Sequence, residues 1–245
     1  MSPDAETRSR PAERSLRRAV FIVTRLLVAA TIVAALVTTF SGSWSDWTRA
    51  GYPDLGTLVT NFWSYFTVES NAAAAVVLLA GAILLIRGRS NDPAWFTLLR
   101  GCVVAYMTVT GIVYNLLLRG VPVSGAALEP FAWTNEVLHV LGPVYLILDW
   151  LLAPGRRPLQ WNRIAVILTF PLVWVVYSLV RGPLVYDQVL VRQTWYPYPF
   201  LNPALSQNGY LSVAFYVILI SVVFGGVGAL VIWISRRQAT GRTSQ

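Results

Sequence analysis

Apolar residues gather into six blocks along the chain, at 19–40, 63–86, 95–118, 131–152, 164–181 and 211–234. A helix needs roughly 20 residues to cross about 30 Å of hydrocarbon at its ordinary rise, so each block predicts one transmembrane helix. Polar stretches flank the set, and the expected organisation is a disordered cytoplasmic tail over 1–18, a six-helix transmembrane domain over 19–235 and a second cytoplasmic tail over 236–245. The fold class is therefore all-α: a polytopic membrane protein with six transmembrane helices in one bundle. The first block follows the pair Arg17-Arg18, as a signal sequence would, but it exceeds the roughly 7–15 residues of such a segment and reads as a retained helix.

Composition agrees with the pattern. Hydrophobic residues are 56% of the chain and charged residues 12%, against roughly 25% charged in a soluble domain. Arginine placement then sets an orientation, because basic flanks stay on the cytoplasmic side. Arginines cluster before the first block and after the second, fourth and sixth, which predicts cytoplasmic termini. All 19 basic residues are arginine, a bias of GC-rich bacterial genomes, and the location expected is the bacterial inner membrane. The net charge of +8 is topology signal plus attraction to anionic lipid, so the partner implied is the bilayer and not nucleic acid. Arg25, Arg100 and Arg163 lie close enough to cytoplasmic ends to snorkel to the headgroups. The loops at 41–62 and 182–210 are rich in Trp, Tyr and Pro and read first as interfacial belts, with a lid or substrate entrance as the alternative.

Polar side chains inside the blocks are the exception that calls for explanation. The single histidine, His139, lies in the fourth block, with Asn135 and Glu136 on the same helical face. Pro143 cannot donate to the carbonyl of His139 and leaves that acceptor in need of another partner. In the second block Ser64, Thr67 and Asn71 share a stripe, with Ser70 beside it and Glu69 nearly opposite. In the third, Gly111, Tyr114 and Asn115 share a face. Converting position to depth places Thr67 about 6 Å and His139 about 12 Å below the outer boundary, with Tyr114 and Asn115 at a similar level.

One histidine and one cysteine give no metal-ligand set and no disulfide, so neither a metal nor any other cofactor is expected. A hydroxyl, a histidine and carboxamides at one depth suit nucleophilic catalysis, with Thr67 as nucleophile, His139 as base and Asn135 or Glu136 as orienter. Ser70, Asn71, Tyr114 and Asn115 would support the site or bind substrate. The same residues could equally hold helices together, so a lipid-binding, transport or regulatory protein with a structural polar cluster stays open beside an enzyme.

Tyr65-Phe66-Thr67 and Asn135-x-x-x-His139, followed ten residues later by Asp149, resemble segments of the androgen-induced protein family. That family comprises multi-spanning membrane hydrolases that use a threonine and a histidine to cleave fatty-acid esters of hydroxy fatty acids. The resemblance implies that Thr67 and His139 are the catalytic pair and that the substrate is a lipid or fatty-acyl ester. Glu136 stands where the family has a second histidine. The whole chain is also similar to a bacterial six-helix family that shares the Tyr-Pro-Tyr-Pro-Phe-Leu-Asn-Pro loop, here Tyr196 to Pro203.

Overall fold

Helix α1 spans Pro3–Ala50, α2 Leu55–Trp63, α3 Phe66–Ile86, α4 Ala94–Val113, α5 Ala132–Glu136, α6 Gly142–Leu152, α7 Ile164–Arg181 and α8 Tyr210–Thr240. These assignments come from a computed structural model that describes residues 3–89, 91–120 and 132–240. The predicted start of the fourth span at Phe131 and the tail residues 1–2 and 241–245 lie outside that set. One wider π turn, Tyr114–Leu118, extends α4, and another, Val137–Leu141, joins α5 to α6. Among the described residues six helical stretches are long and apolar enough to cross a membrane: Ser15–Ala50, Phe66–Ile86, Ala94–Leu118, Ala132–Leu152, Trp161–Leu184 and Tyr210–Arg237. Helices satisfy their backbone groups internally, which is what hydrocarbon demands of a spanning segment.

Helix extends beyond the apolar blocks in two places. The stretch before residue 19 is helical from Pro3, consistent with its content of Ala, Glu and Arg, which are strong helix formers. The expected loop at 41–62 is mostly helix as well. α1 runs on to Ala50 and ends at Gly51, which adopts a φ of +69°, a conformation glycine takes at little cost. Asp54 then caps α2 by accepting from the Thr57 amide at 2.9 Å and the Thr57 hydroxyl at 2.6 Å. These bonds hold its carboxyl below the usual carboxylate range.

Within the bundle, α1 packs along α3, and α4 occupies the centre, touching α3, α6, α7 and α8. Buried alanines on α1 and α3, including Ala29, Ala35, Ala74 and Ala75, let backbones approach as small residues do in membranes. Val23, Leu27, Val173, Val176, Phe215 and Val222 face outward and exposed. In water such a surface would be a liability; in lipid it is solvated.

Two arginines near the start of α1 reach the ends of neighbouring helices. Arg17 donates to the Leu152 carbonyl and Arg18 to those of Leu85 and Ile86, satisfying the last carbonyls of α6 and α3. Deeper in, snorkelling fails as a description of Arg25 and Arg100, which are only 1% and 2% exposed. Arg25 grips Asp149 through Nε at 2.7 Å and Nη2 at 3.1 Å, and Arg100 reaches the same carboxylate at 2.9 Å while also pairing Asp92. A counter-ion on a neighbouring helix makes an inward route cheaper than a reach to the headgroups. Arg163 is exposed, in keeping with its expected position.

At the opposite end the aromatic loop is not a belt. Trp195, Tyr196, Tyr198 and Leu201 are buried, whereas rings in a belt would lie at the surface. Gly182 explains how the loop seats itself: the Trp195 amide donates to the Gly182 carbonyl at 3.0 Å, and a Cβ at 182 would lie 2.2 Å from the Tyr196 ring. Gly182→Ala should therefore displace the loop from α7 and lower stability by about 1–3 kcal/mol, the usual cost of overpacking. Thermal unfolding in detergent, with tryptophan emission following Trp195, measures it; an unshifted midpoint and spectrum would show that the contact does not constrain the loop.

Candidate active site

Thr67 is the second residue of α3, after Tyr65 at the N-cap position, so its amide has no carbonyl one turn back to bond within the helix. That amide donates instead to the Tyr198 phenolic oxygen at 3.2 Å. The Thr67 hydroxyl lies 3.2 Å from the same phenol and 3.3 Å from His139 Nε2. Both are at the loose end of hydrogen-bond reach, as catalytic contacts often are before substrate binds.

His139 sits in the Val137–Leu141 π turn, a helical irregularity that recurs at functional sites. Its Nδ1 is 3.0 Å from the Asn135 backbone carbonyl. A carbonyl only accepts, so Nδ1 carries the hydrogen and Nε2 presents its lone pair toward the Thr67 hydroxyl. The hydroxyl then donates to the ring. Tyr114 stacks on the imidazole with centroids 3.7 Å apart and planes 20° from parallel, and its hydroxyl is held by the Asn135 carboxamide. These contacts fix the ring on one face and one edge.

The two carbonyls loosened near the π turn are satisfied from neighbouring helices. Asn71 Nδ2 donates to Thr67 O at 2.9 Å and to Leu138 O at 3.1 Å. Asn115 Nδ2 donates to Gly111 O at 2.8 Å and to His139 O at 3.3 Å, supplying the partner that Pro143 withholds. Close approach of α4 and α6 makes this possible: a Cβ at Gly111 would stand 3.1 Å from the Pro143 side chain and 3.3 Å from His139 O.

Of the residues singled out from sequence, Thr67, His139, Tyr114, Asn135, Asn71 and Asn115 converge, although the carboxamides serve backbone and phenol rather than imidazole. The orienter of His139 is the carbonyl of Asn135, not its side chain. Ser70 bonds the Thr67 carbonyl at 3.2 Å and the Thr110 hydroxyl at 3.1 Å, which makes it a helix-packing contact. Glu136 turns outward, where Arg119 grips it at 2.8 and 3.1 Å, and it does not contact the imidazole. Tyr198 was missed as a partner of Thr67. The only signal for it is the aromatic loop, which gives no register against α3.

Beside Thr67 opens an apolar groove, walled by Val109 and Val113 of α4, Leu168, Leu172 and Val175 of α7, and Val217, Ile220 and Phe224 of α8. Thr67, Thr110, Tyr114, Tyr198 and Ser221 are the hydroxyl-bearing residues along it. From Val217 to Phe224 the groove follows α8 for about 10 Å at the helical rise. Among the described residues no three His, Cys, Asp or Glu side chains gather as a metal would require. Comparison of the chain with protein-family descriptions, with curated proteins and with solved structures yields no match.

Proposed function

We propose that this chain is a membrane-embedded hydrolase of lipid or fatty-acyl esters, with Thr67 as nucleophile and His139 as general base. The observation that carries the reading is the alignment of the Thr67 hydroxyl with the lone pair of an imidazole whose other nitrogen is tied to a carbonyl. Such a nucleophile–base–orienter series is what activates an otherwise inert hydroxyl. The apolar groove ending at Thr67 suits an acyl chain, and its walls on α7 and α8 are the spans beside which such a chain would enter from lipid.

In the first half-reaction Thr67 Oγ1 bonds to the acyl carbon as its proton passes to His139 Nε2. The carbon–oxygen bond to the alcohol breaks, and His139 returns the proton to the departing oxygen. Water then attacks the acyl-threonine, His139 takes its proton, and Thr67 regains a hydrogen as the fatty acid leaves. The arginine-rich end is the cytoplasmic one in this reading, which places the site in the outer half of a bacterial inner membrane. Conduction is disfavoured by the buried ionic cluster that plugs the arginine-rich end between α1, α4 and α6.

Purified protein treated with a fluorophosphonate probe should carry the adduct on Thr67, located by peptide mass spectrometry. An adduct elsewhere, or none, removes the case for this mechanism. Filling the groove offers an independent check: Val217→Trp should cut hydrolysis of a palmitoyl ester about tenfold or more while leaving an acetyl ester within about twofold, since only the long chain needs the space. Equal effects on both esters would show that the groove does not hold the chain.

A further inference from the structure

We infer that Tyr198 supplies the hydrogen-bond donor for the oxyanion that forms when Thr67 attacks, so that the aromatic loop, not a transmembrane helix, completes the site. The inference rests on the reading of Thr67 as nucleophile.

Elimination gives the first reason. An ester carbonyl attacked by Thr67 develops negative charge on oxygen, and that charge needs donors already in place. The carboxamides nearby are directed elsewhere: Asn71 to the carbonyls of Thr67 and Leu138, Asn115 to those of Gly111 and His139, Asn135 to the Tyr114 phenol. Ser70 is engaged with Thr110. Of these groups, only Tyr198 directs a side-chain O–H at the reacting hydroxyl itself.

Its direction follows from donor and acceptor chemistry. The Thr67 amide can only donate, so the Tyr198 oxygen accepts from it, and the phenol keeps its own hydrogen for another partner. At rest that partner is Thr67 Oγ1, whose hydrogen is committed to His139. Once Oγ1 is bonded to the acyl carbon, the phenolic hydrogen can turn about its C–O bond toward the carbonyl oxygen, one bond further on. The amide that Tyr198 accepts from stands at the positive end of α3, which strengthens the phenol as a donor.

The donor is also rigid and stays protonated. Tyr198 lies parallel to Phe200 with centroids 5.3 Å apart and packs against Tyr65 and Trp174. Burial pushes its phenol up to about 12, so it keeps its hydrogen over the working range of pH. No proton leaves Tyr198 at any step.

Tyr198→Phe removes one oxygen and keeps the ring. The expected result is a fall of about 10²-fold in the fluorophosphonate labelling rate and in kcat for an ester, with KM within about twofold, as for loss of one oxyanion donor. A labelling rate within about threefold of the unaltered chain, or a raised one, overturns the inference. A purely structural role would move KM and the unfolding midpoint together. Fluorotyrosine at position 198 gives a second readout that spares the packing: the alkaline fall in rate should move to lower pH with the more acidic phenol, and an unmoved limb overturns the inference. Thr67→Ala runs alongside. If it still labels, the hydrolase reading itself fails; if it does not, and Tyr198→Phe labels at full rate, only the role of Tyr198 falls.

Discussion

Thr67→Ala should abolish covalent labelling and lower ester turnover by at least about 10³-fold, because no neighbouring group can replace the nucleophile. Ser70 lies three residues along α3 from Thr67 and is bonded to Thr67 O and Thr110. The Tyr198 phenol, with its acidity pushed to about 12, is a poor source of an oxyanion nucleophile. His139→Ala should cost about 10²–10⁴-fold, the span of general-base catalysis. Thr67→Ser keeps a hydroxyl on the same helix turn and should retain labelling, slowed by the extra rotamers of an unbranched side chain. Fold damage is easily separated, since losing the Thr67 hydroxyl costs about 1 kcal/mol of hydrogen bonding and leaves the α3 amide with its Tyr198 partner. Ser70→Ala is the matched control and should label normally. If Thr67→Ala and His139→Ala both turn over ester at the rate of the unaltered chain, the polar cluster is packing and not chemistry.

What could be read in advance is what depends on period and length. Six apolar blocks give six spans, and alternation of direction turns Thr67 and His139, 72 residues apart, into neighbours at one depth. Helical spacing likewise put Gly111, Tyr114 and Asn115 on the face that meets His139. Partners supplied by irregular chain were out of reach, because a loop has no period: Tyr198 meets Thr67 from 131 residues away. Choice among several donors was out of reach as well. Asn135 serves His139 through its carbonyl, and its side chain goes to Tyr114, a division that depends on the π turn. Charge pairing failed for a related reason. Arg25 and Asp149 are 124 positions apart, so each looked solitary, and a solitary arginine near a helix end is reasonably sent to the headgroups.

Asp149 carries the other large expected effect, and it is one of stability. Its carboxylate, 3% exposed, is shared between Arg25 of α1 and Arg100 of α4, so one acidic residue of α6 ties together two buried cations. Removing one member of such a group costs about 3–5 kcal/mol, mostly the burden of the charges left behind. Asp149→Ala should accordingly lower the unfolding midpoint on the order of 10 °C for a chain of this size. The damage should fall unevenly. Arg100 retains Asp92, whereas among the described residues Arg25 has no other acidic partner, and its Nη1 lacks a hydrogen bond there, where it abuts Gly81. Replacing that arginine as well, in Arg25→Met/Asp149→Ala, should recover a large part of the lost stability, because an apolar pair is often no worse than a buried ionic one. Glu136→Gln, which breaks an exposed pair with Arg119 at the end of the preceding span, should leave the midpoint unmoved. Ten residues separate Asp149 from His139, about 15 Å along the axis, so Asp149→Ala that is still folded at low temperature should label at Thr67 like the unaltered chain. A double variant that melts lower than Asp149→Ala alone would mean that Arg25 is held by its surroundings and not by the carboxylate.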